Sequence, residues 1–138
     1  GAEKPSRGEP VREPSKDLRI VDPTLSKVIL VDDNPTRTFH PRNLRVFKKF
    51  DADAFCDPAT PEPVRTALTK AMPIVTAEIE ESVAYMKANP GTPFATAYLP
   101  YSSIGQVTFD NFVSTLGWTP TQAIDFIRKN PKTVDPNF

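Results

Sequence analysis

The stretch Ser26-Lys27-Val28-Ile29-Leu30-Val31-Asp32-Asp33-Asn34-Pro35 governs how this chain is read. Five residues of strand character, Lys27 to Val31, end on two adjacent acids and then on Asn34-Pro35, a turn former. An apolar run bounded in this way predicts a buried strand of the parallel kind, covered on both faces. In open α/β sheets, ligands gather at the carboxyl ends of such strands. Two carboxylates placed there are costly unless a cation neutralises them. Asp32 and Asp33 are therefore a candidate metal-binding pair. The plain alternative is that they cap the turn that follows.

On the N-terminal side, Lys16 to Leu25 reads as a short helical turn or loop that carries Leu18, Ile20 and Leu25 into the core. Residues 1–15 hold three prolines, alternating charges and almost nothing apolar, and read as a disordered or linker-like leader. On the other side, a polar loop around His40-Pro41 leads to a second short strand, Leu44 to Phe47. Thr60-Pro61-Glu62 then looks like a helix start with Thr60 as the N-cap. Val64, Leu68, Ala71 and Met72 share one face of that helix, and Pro73 breaks or kinks it. The next helix runs from Val75 to Ala88, with Val75, Ile79, Val83 and Met86 inward and Glu78, Glu80, Glu81 and Lys87 outward.

Residues 89–106 read as loop-rich but aromatic, packing on the body. Thr108 is expected to cap a short helix bearing Phe109, Phe112, Val113 and Leu116, closed by Gly117. Thr119 or Thr121 caps a last helix with Ala123, Ile124 and Ile127 inward, ended by Asn130-Pro131. No internal repeat is visible.

A length of 138 residues suits one domain with a real core. Seventeen basic and 17 acidic residues cancel, which argues against a strong field for nucleic acid or an anionic membrane. The single cysteine, Cys56, excludes an internal disulfide framework and a Cys-rich zinc site, and fits an intracellular setting, cytoplasm or nucleus. No apolar run is long enough for a membrane span. No glycine-rich phosphate loop is present.

Three pieces in register carry a resemblance: Lys16-Asp17-Leu18, then Leu25 through Pro35, then Phe39-His40-Pro41-Arg42-Asn43. Together they resemble the haloacid-dehalogenase superfamily, in its branch of CTD-type phosphatases, over roughly residues 16–88. The resemblance implies that Lys16 neutralises the nucleophilic aspartate and the bound phosphate. It also implies that Asp32 and Asp33 complete a magnesium site, with Asp33 as the carboxylate that meets the metal. The expected reaction is hydrolysis of a phosphoserine or phosphothreonine monoester on a protein.

The departure from the family lies upstream. Its nucleophile comes from an Asp-x-Asp motif on a strand before all of these pieces, and none precedes Lys16 here. Asp51-Ala52-Asp53 has the right letters, but it follows Phe47-Lys48-Lys49-Phe50 and stands after the acidic motif, so it reads as surface. The expected architecture is thus a partial haloacid-dehalogenase-like α/β unit, short parallel strands with flanking helices, over 16–88. A C-terminal helical extension, 89–138, packs on it. The chain is expected to be inactive alone and to need the missing N-terminal half or another protein as partner. A non-catalytic interaction module derived from this fold is the alternative.

Two further readings are weaker. A response-regulator receiver also opens with a strand ending in two acids, but the later Asp-bearing and Lys-bearing strands are missing. The hairpin from Thr108 to Asn130 resembles a helix-turn-helix in outline, yet its few cations, Arg128, Lys129 and Lys132, make nucleic acid an unlikely partner. His40, the only histidine, reads as a loop residue satisfied by backbone or as an orienting group behind the acids. Arg42, Arg45, Lys48 and Lys49 read as a solvated basic face.

Overall fold

The computed structural model describes residues 15–47 and 51–138. The leader up to Pro14, together with Lys48 and Lys49, lies outside the described residues. β1 (Leu30–Asp32) and β2 (Leu44–Val46) form a two-stranded parallel sheet in the register Leu30↔Leu44, Val31↔Arg45 and Asp32↔Val46. The other described elements are helical: α1 (Ala52–Cys56), α2 (Glu62–Leu68), α3 (Ala71–Ala88), α4 (Phe94–Tyr98), α5 (Ser103–Ser114) and α6 (Pro120–Lys129). Short 3-10 turns stand at Leu18–Ile20, Pro41–Asn43, Leu99–Tyr101 and Pro131–Thr133. The architecture is mixed α/β and mostly helical.

The strand begins at Leu30 rather than Lys27, because a turn occupies the residues before it. The Asp22 carboxylate accepts from the Thr24 N–H at 3.0 Å and the Lys27 N–H at 2.9 Å. Within that turn Leu25 adopts φ 60, a left-handed backbone rare for a branched residue. Asn43 holds it there. Its fully buried amide donates to the Leu25 carbonyl at 2.7 Å and to the Val28 carbonyl at 2.8 Å. Leu18 is buried as expected, while Ile20 is 87% exposed. All three residues of β1 are only half-buried, so the expected covering of both faces is absent. With one neighbouring strand, the sheet lacks the layers that bury a parallel strand on both sides.

The most buried stretch falls where a loop was expected. Within 89–106, α4 and the turn after it bury Ala95, Ala97, Tyr98, Leu99 and Pro100, with Ser102 just beyond. Small side chains at Ala95 and Ala97 let α4 approach α3, which presents the buried Val75 and Ser82. α5 starts at Ser103 rather than Thr108, capped by Ser102, whose hydroxyl accepts from the Gly105 N–H at 3.1 Å. Gly105 is required there, since a Cβ would lie 1.8 Å from the Leu99 carbonyl oxygen.

Other boundaries also moved. Pro73 neither breaks nor kinks a helix but sits in the first turn of α3, where its missing N–H costs nothing. Thr60 does not cap α2; its hydroxyl donates to the Ala54 carbonyl at 2.6 Å. Val64, Met72 and Val83 are exposed rather than inward, because no layer covers those faces among the described residues. Thr119 caps α6 as expected, in a reciprocal box with Gln122. Gly117, at φ 70, ends the turn after α5.

The main apolar cluster is Leu99, Phe112, Ala123 and Ile127, flanked by Trp118, Phe126, Val134 and Phe138 among others. Trp118 stacks on Phe112 at 4.4 Å between ring centroids. Several bonds tie the sheet and the loops beside it to the helices. The Val46 N–H donates to the Ser103 hydroxyl at 2.9 Å, and the Ala95 N–H donates to the Ser26 carbonyl at 2.9 Å. The Arg42 guanidinium lies 4.9 Å from the Phe138 ring centroid and donates to the Asn137 carbonyl at 3.2 Å.

Candidate functional site: the acidic loop after β1

Asp32 ends β1 and begins a pair of nested turns. Its Oδ1 accepts from the Asn34 N–H at 2.9 Å, and Asn34 Oδ1 in turn accepts from the Thr36 N–H at 2.9 Å and the Thr36 hydroxyl at 2.7 Å. Side-chain carbonyls closing local turns in this way are what Asp and Asn supply when they follow a strand. The other oxygen of Asp32 lies 3.9 Å from Arg37 Nε, and its side chain is largely shielded. Asp32 thus does cap the turn, and the cation beside it is Arg37. Adjacent residues of a strand project to opposite faces, and Asp33 is exposed where Asp32 is not.

Lys16 is exposed and forms an isolated parallel bridge with Thr38, across the loop from the acids. Its N–H donates to the Arg37 carbonyl, and its own carbonyl accepts from the Thr38 hydroxyl at 2.7 Å. The Ser15 hydroxyl adds a bond to the Thr36 carbonyl at 2.8 Å. His40 completes this stitching, with Nε2 3.1 Å from Asp17 Oδ1. Side-chain and backbone hydrogen bonds from Arg19, then the bond to His40, hold the Asp17 carboxyl far below the ordinary carboxylate range. The main chain at Lys16 is therefore brought onto the acidic loop. Its ammonium makes no ion pair with Asp32 or Asp33 among the described residues.

Magnesium is commonly held by one or two carboxylates, several waters and substrate phosphate. Asp33 fits such a role, being an exposed carboxylate at a strand end. Asp32 fits it less well, with one oxygen engaged by the turn and the other facing a guanidinium. Among the described residues no group of three or more His, Cys, Asp or Glu side chains converges as a metal site. The residues present thus fit part of a magnesium shell.

A second charged cluster lies on α3, where Glu78 turns inward rather than outward and Glu81, its side chain 43% exposed, pairs with a buried arginine. Glu78 pairs with Arg45 at 2.9 Å and accepts from the Tyr98 hydroxyl at 3.3 Å. Glu81 pairs with Arg128 at 2.8 Å and accepts from the Tyr101 hydroxyl at 2.7 Å. Arg128, with its side chain 5% exposed, also donates to the Ala97 carbonyl at 2.8 Å and lies over the Tyr85 ring. Burial pushes both tyrosine hydroxyls well above their ordinary range, with the neighbouring carboxylates adding to the effect. The cue was a shared spacing: Glu78 and Glu81 match Tyr98 and Tyr101, each pair one helical turn apart. This cluster joins α3 to β2, α4, the turn after it and α6, and each of its charged groups is paired. It also takes Arg45 out of the expected basic face, as Phe138 and Asn137 take Arg42.

The remaining candidates are local. Asp51 caps α1 by accepting from the Ala54 N–H at 3.0 Å, and Asp53 lies exposed in its first turn. Cys56 is a free, exposed thiol. A shallow hollow of about 270 Å³ is lined by Trp118, Gln122, Asp125, Phe126, Lys129 and Asn130, none from the acidic loop. Among the described residues no helix is long and apolar enough to cross a membrane. No family model, curated protein or solved structure matches this chain.

Proposed function

We propose that residues 16–88 are the C-terminal part of a magnesium-dependent phosphatase of the haloacid-dehalogenase type, carrying its acidic loop and completed by a nucleophile-bearing segment supplied from elsewhere. In the completed fold the reaction is hydrolysis of a phosphoserine or phosphothreonine monoester on a protein. What supports this reading is the stitching of Ser15 and Lys16 onto the loop that follows Asp32 and Asp33. The pieces of the resemblance are adjacent in space as well as ordered in sequence. In this reading Asp33 would hold the metal, Asp32 would shape its loop, and Lys16 would neutralise phosphate. Magnesium would offset charge on the phosphoryl group. Without an aspartyl nucleophile, these groups bind and do not turn over.

The experiment is a magnesium titration followed by amide NMR. The expected result is a response at millimolar magnesium centred on residues 32–37, lost in Asp33→Asn and retained in Asp51→Asn. A loop silent to magnesium would retire the reading. A non-catalytic interaction module is the second reading, favoured by Ile20, Val21 and Phe39, which are 87%, 74% and 72% exposed. It is the reading left standing if the folded chain ignores magnesium.

A further inference from the structure

Asp17 is where two segments remote in sequence meet. It caps the turn Leu18–Ile20, its Oδ1 accepting from the Arg19 N–H at 3.0 Å, and the Arg19 guanidinium closes on its two oxygens at 2.9 and 2.7 Å. That cap needs nothing from His40, yet His40 Nε2 reaches the same Oδ1 at 3.1 Å from 23 residues away. Asp17 is held ionised and can only accept, so Nε2 carries the proton of this bond. The same loop holds the residue before Asp17. The Lys16 N–H donates to the Arg37 carbonyl, and the Lys16 carbonyl accepts from the Thr38 hydroxyl at 2.7 Å. That hydroxyl oxygen in turn accepts from the His40 N–H at 3.3 Å. Lys16, Asp17, Thr38 and His40 therefore close a ring of hydrogen bonds, and the buried Leu18 anchors the residue that follows. The Lys16 side chain itself stays exposed.

We propose that Asp17 and His40 are positioning residues that fix the main chain of Lys16 and so present its ammonium to a phosphate group at the acidic loop. This role rests on the phosphatase reading and deepens it. A lysine carries its charge on a long flexible stem, so the place of its ammonium is only as well defined as the root of that stem. Fixing the root before the anion arrives lowers the ordering cost of binding. With the Arg19 guanidinium covering it, the Asp17 carboxylate is also satisfied and does not draw in the neighbouring ammonium. His40 touches no phosphate in this arrangement and acts through Lys16.

The test is a double-mutant cycle in which the whole chain is titrated with inorganic phosphate in the presence of magnesium and followed by amide NMR. Lys16→Ala should weaken phosphate binding, and His40→Ala should weaken it about fivefold, the worth of one hydrogen bond. Because His40 acts through Lys16, His40→Ala should cost nothing further once Lys16→Ala is in place. His40→Gln, whose amide N–H can stand where Nε2–H does, should restore binding. Hydrogen-exchange protection of α3 to α6 checks that each variant is folded. Thr38→Val, which cuts the ring at its other link, should behave as His40→Ala does and replaces it in the cycle if that variant unfolds. Losses that add, or binding unchanged by cutting the ring, would overturn the positioning role and leave the phosphatase reading in place. Binding indifferent to Lys16→Ala would bring down that reading, and the positioning role with it.

Discussion

Glu81 shows how one side chain couples charge to the packing of distant elements. Burial alone would raise its carboxyl, but hydrogen bonds from Arg128 and Tyr101 and the charge of Arg128 outweigh that, leaving it below the ordinary value of 4.5. A group depressed in the folded state contributes stability above its unfolded value and loses it as pH falls through the folded one. Melting temperature should therefore drop as the solution is acidified below about pH 4.5. In Glu81→Gln it should start lower at neutral pH and fall less steeply in acid. Equal acid slopes in the two proteins would refute the assignment. Solvent reaches 43% of the Glu81 side chain, so screening keeps the effect modest. Sequence pattern placed Glu78 and Glu81 outward because charge usually marks the wet face of a helix. It could not show that Arg45 and Arg128 arrive from other elements. Asp32 was different: turn capping was the alternative read for it, because Asp-Asp-Asn-Pro after a strand specifies a turn locally.

At the level of elements, legibility followed the distance over which each element is specified. α6 was predicted closely, since its cap, its apolar spacing and its Asn130-Pro131 stop all lie within the helix. α4 and the start of α5 were missed because Ser102-Ser103-Ile104-Gly105 looks like a loop until Leu99 is packed beside it. Gly105 there answers a tertiary contact rather than a turn. Two glycine substitutions should accordingly behave differently. Gly105→Ala drives a methyl into the Leu99 carbonyl, 1.8 Å away, and should destabilise by about 3 kcal/mol or more. Gly117→Ala meets nothing within 4 Å and carries only the strain of φ 70, about 1 kcal/mol. Urea denaturation of both variants decides this; equal losses would show that packing around Gly105 yields more easily than its geometry implies.

At the scale of the molecule, the α/β class was legible from one apolar run, one later short strand and the helical spacing that follows them. The balance was not. The sheet carries three residues per strand, while the apolar cluster draws on the Leu99–Tyr101 turn, α5 and α6. Hydrophobic periodicity reports which faces want covering but not which element covers them. For that reason the faces carrying Val64, Met72 and Val83 were expected to be buried and are not.

The contact between Arg42 and Phe138 bears on the order in which the chain acquires its structure. The hydrogen bond from Arg42 to Asn137 closes a separation of 95 residues. Long closures are entropically costly and are repaid only after intervening segments have condensed. During synthesis Arg42 must wait for nearly a hundred further residues before its aromatic partner exists. The helices from α3 to α6, linked over shorter spans, can consolidate first. The clasp at Phe138 is thus expected to form late, after the folding transition state. Arg42→Ala, which removes the clasp and leaves Phe138 against the apolar cluster, should therefore speed unfolding in stopped-flow experiments and leave the refolding rate nearly unchanged. A slowed refolding limb would place the clasp in the nucleus instead, and the sheet would then be an early participant rather than a late arrival.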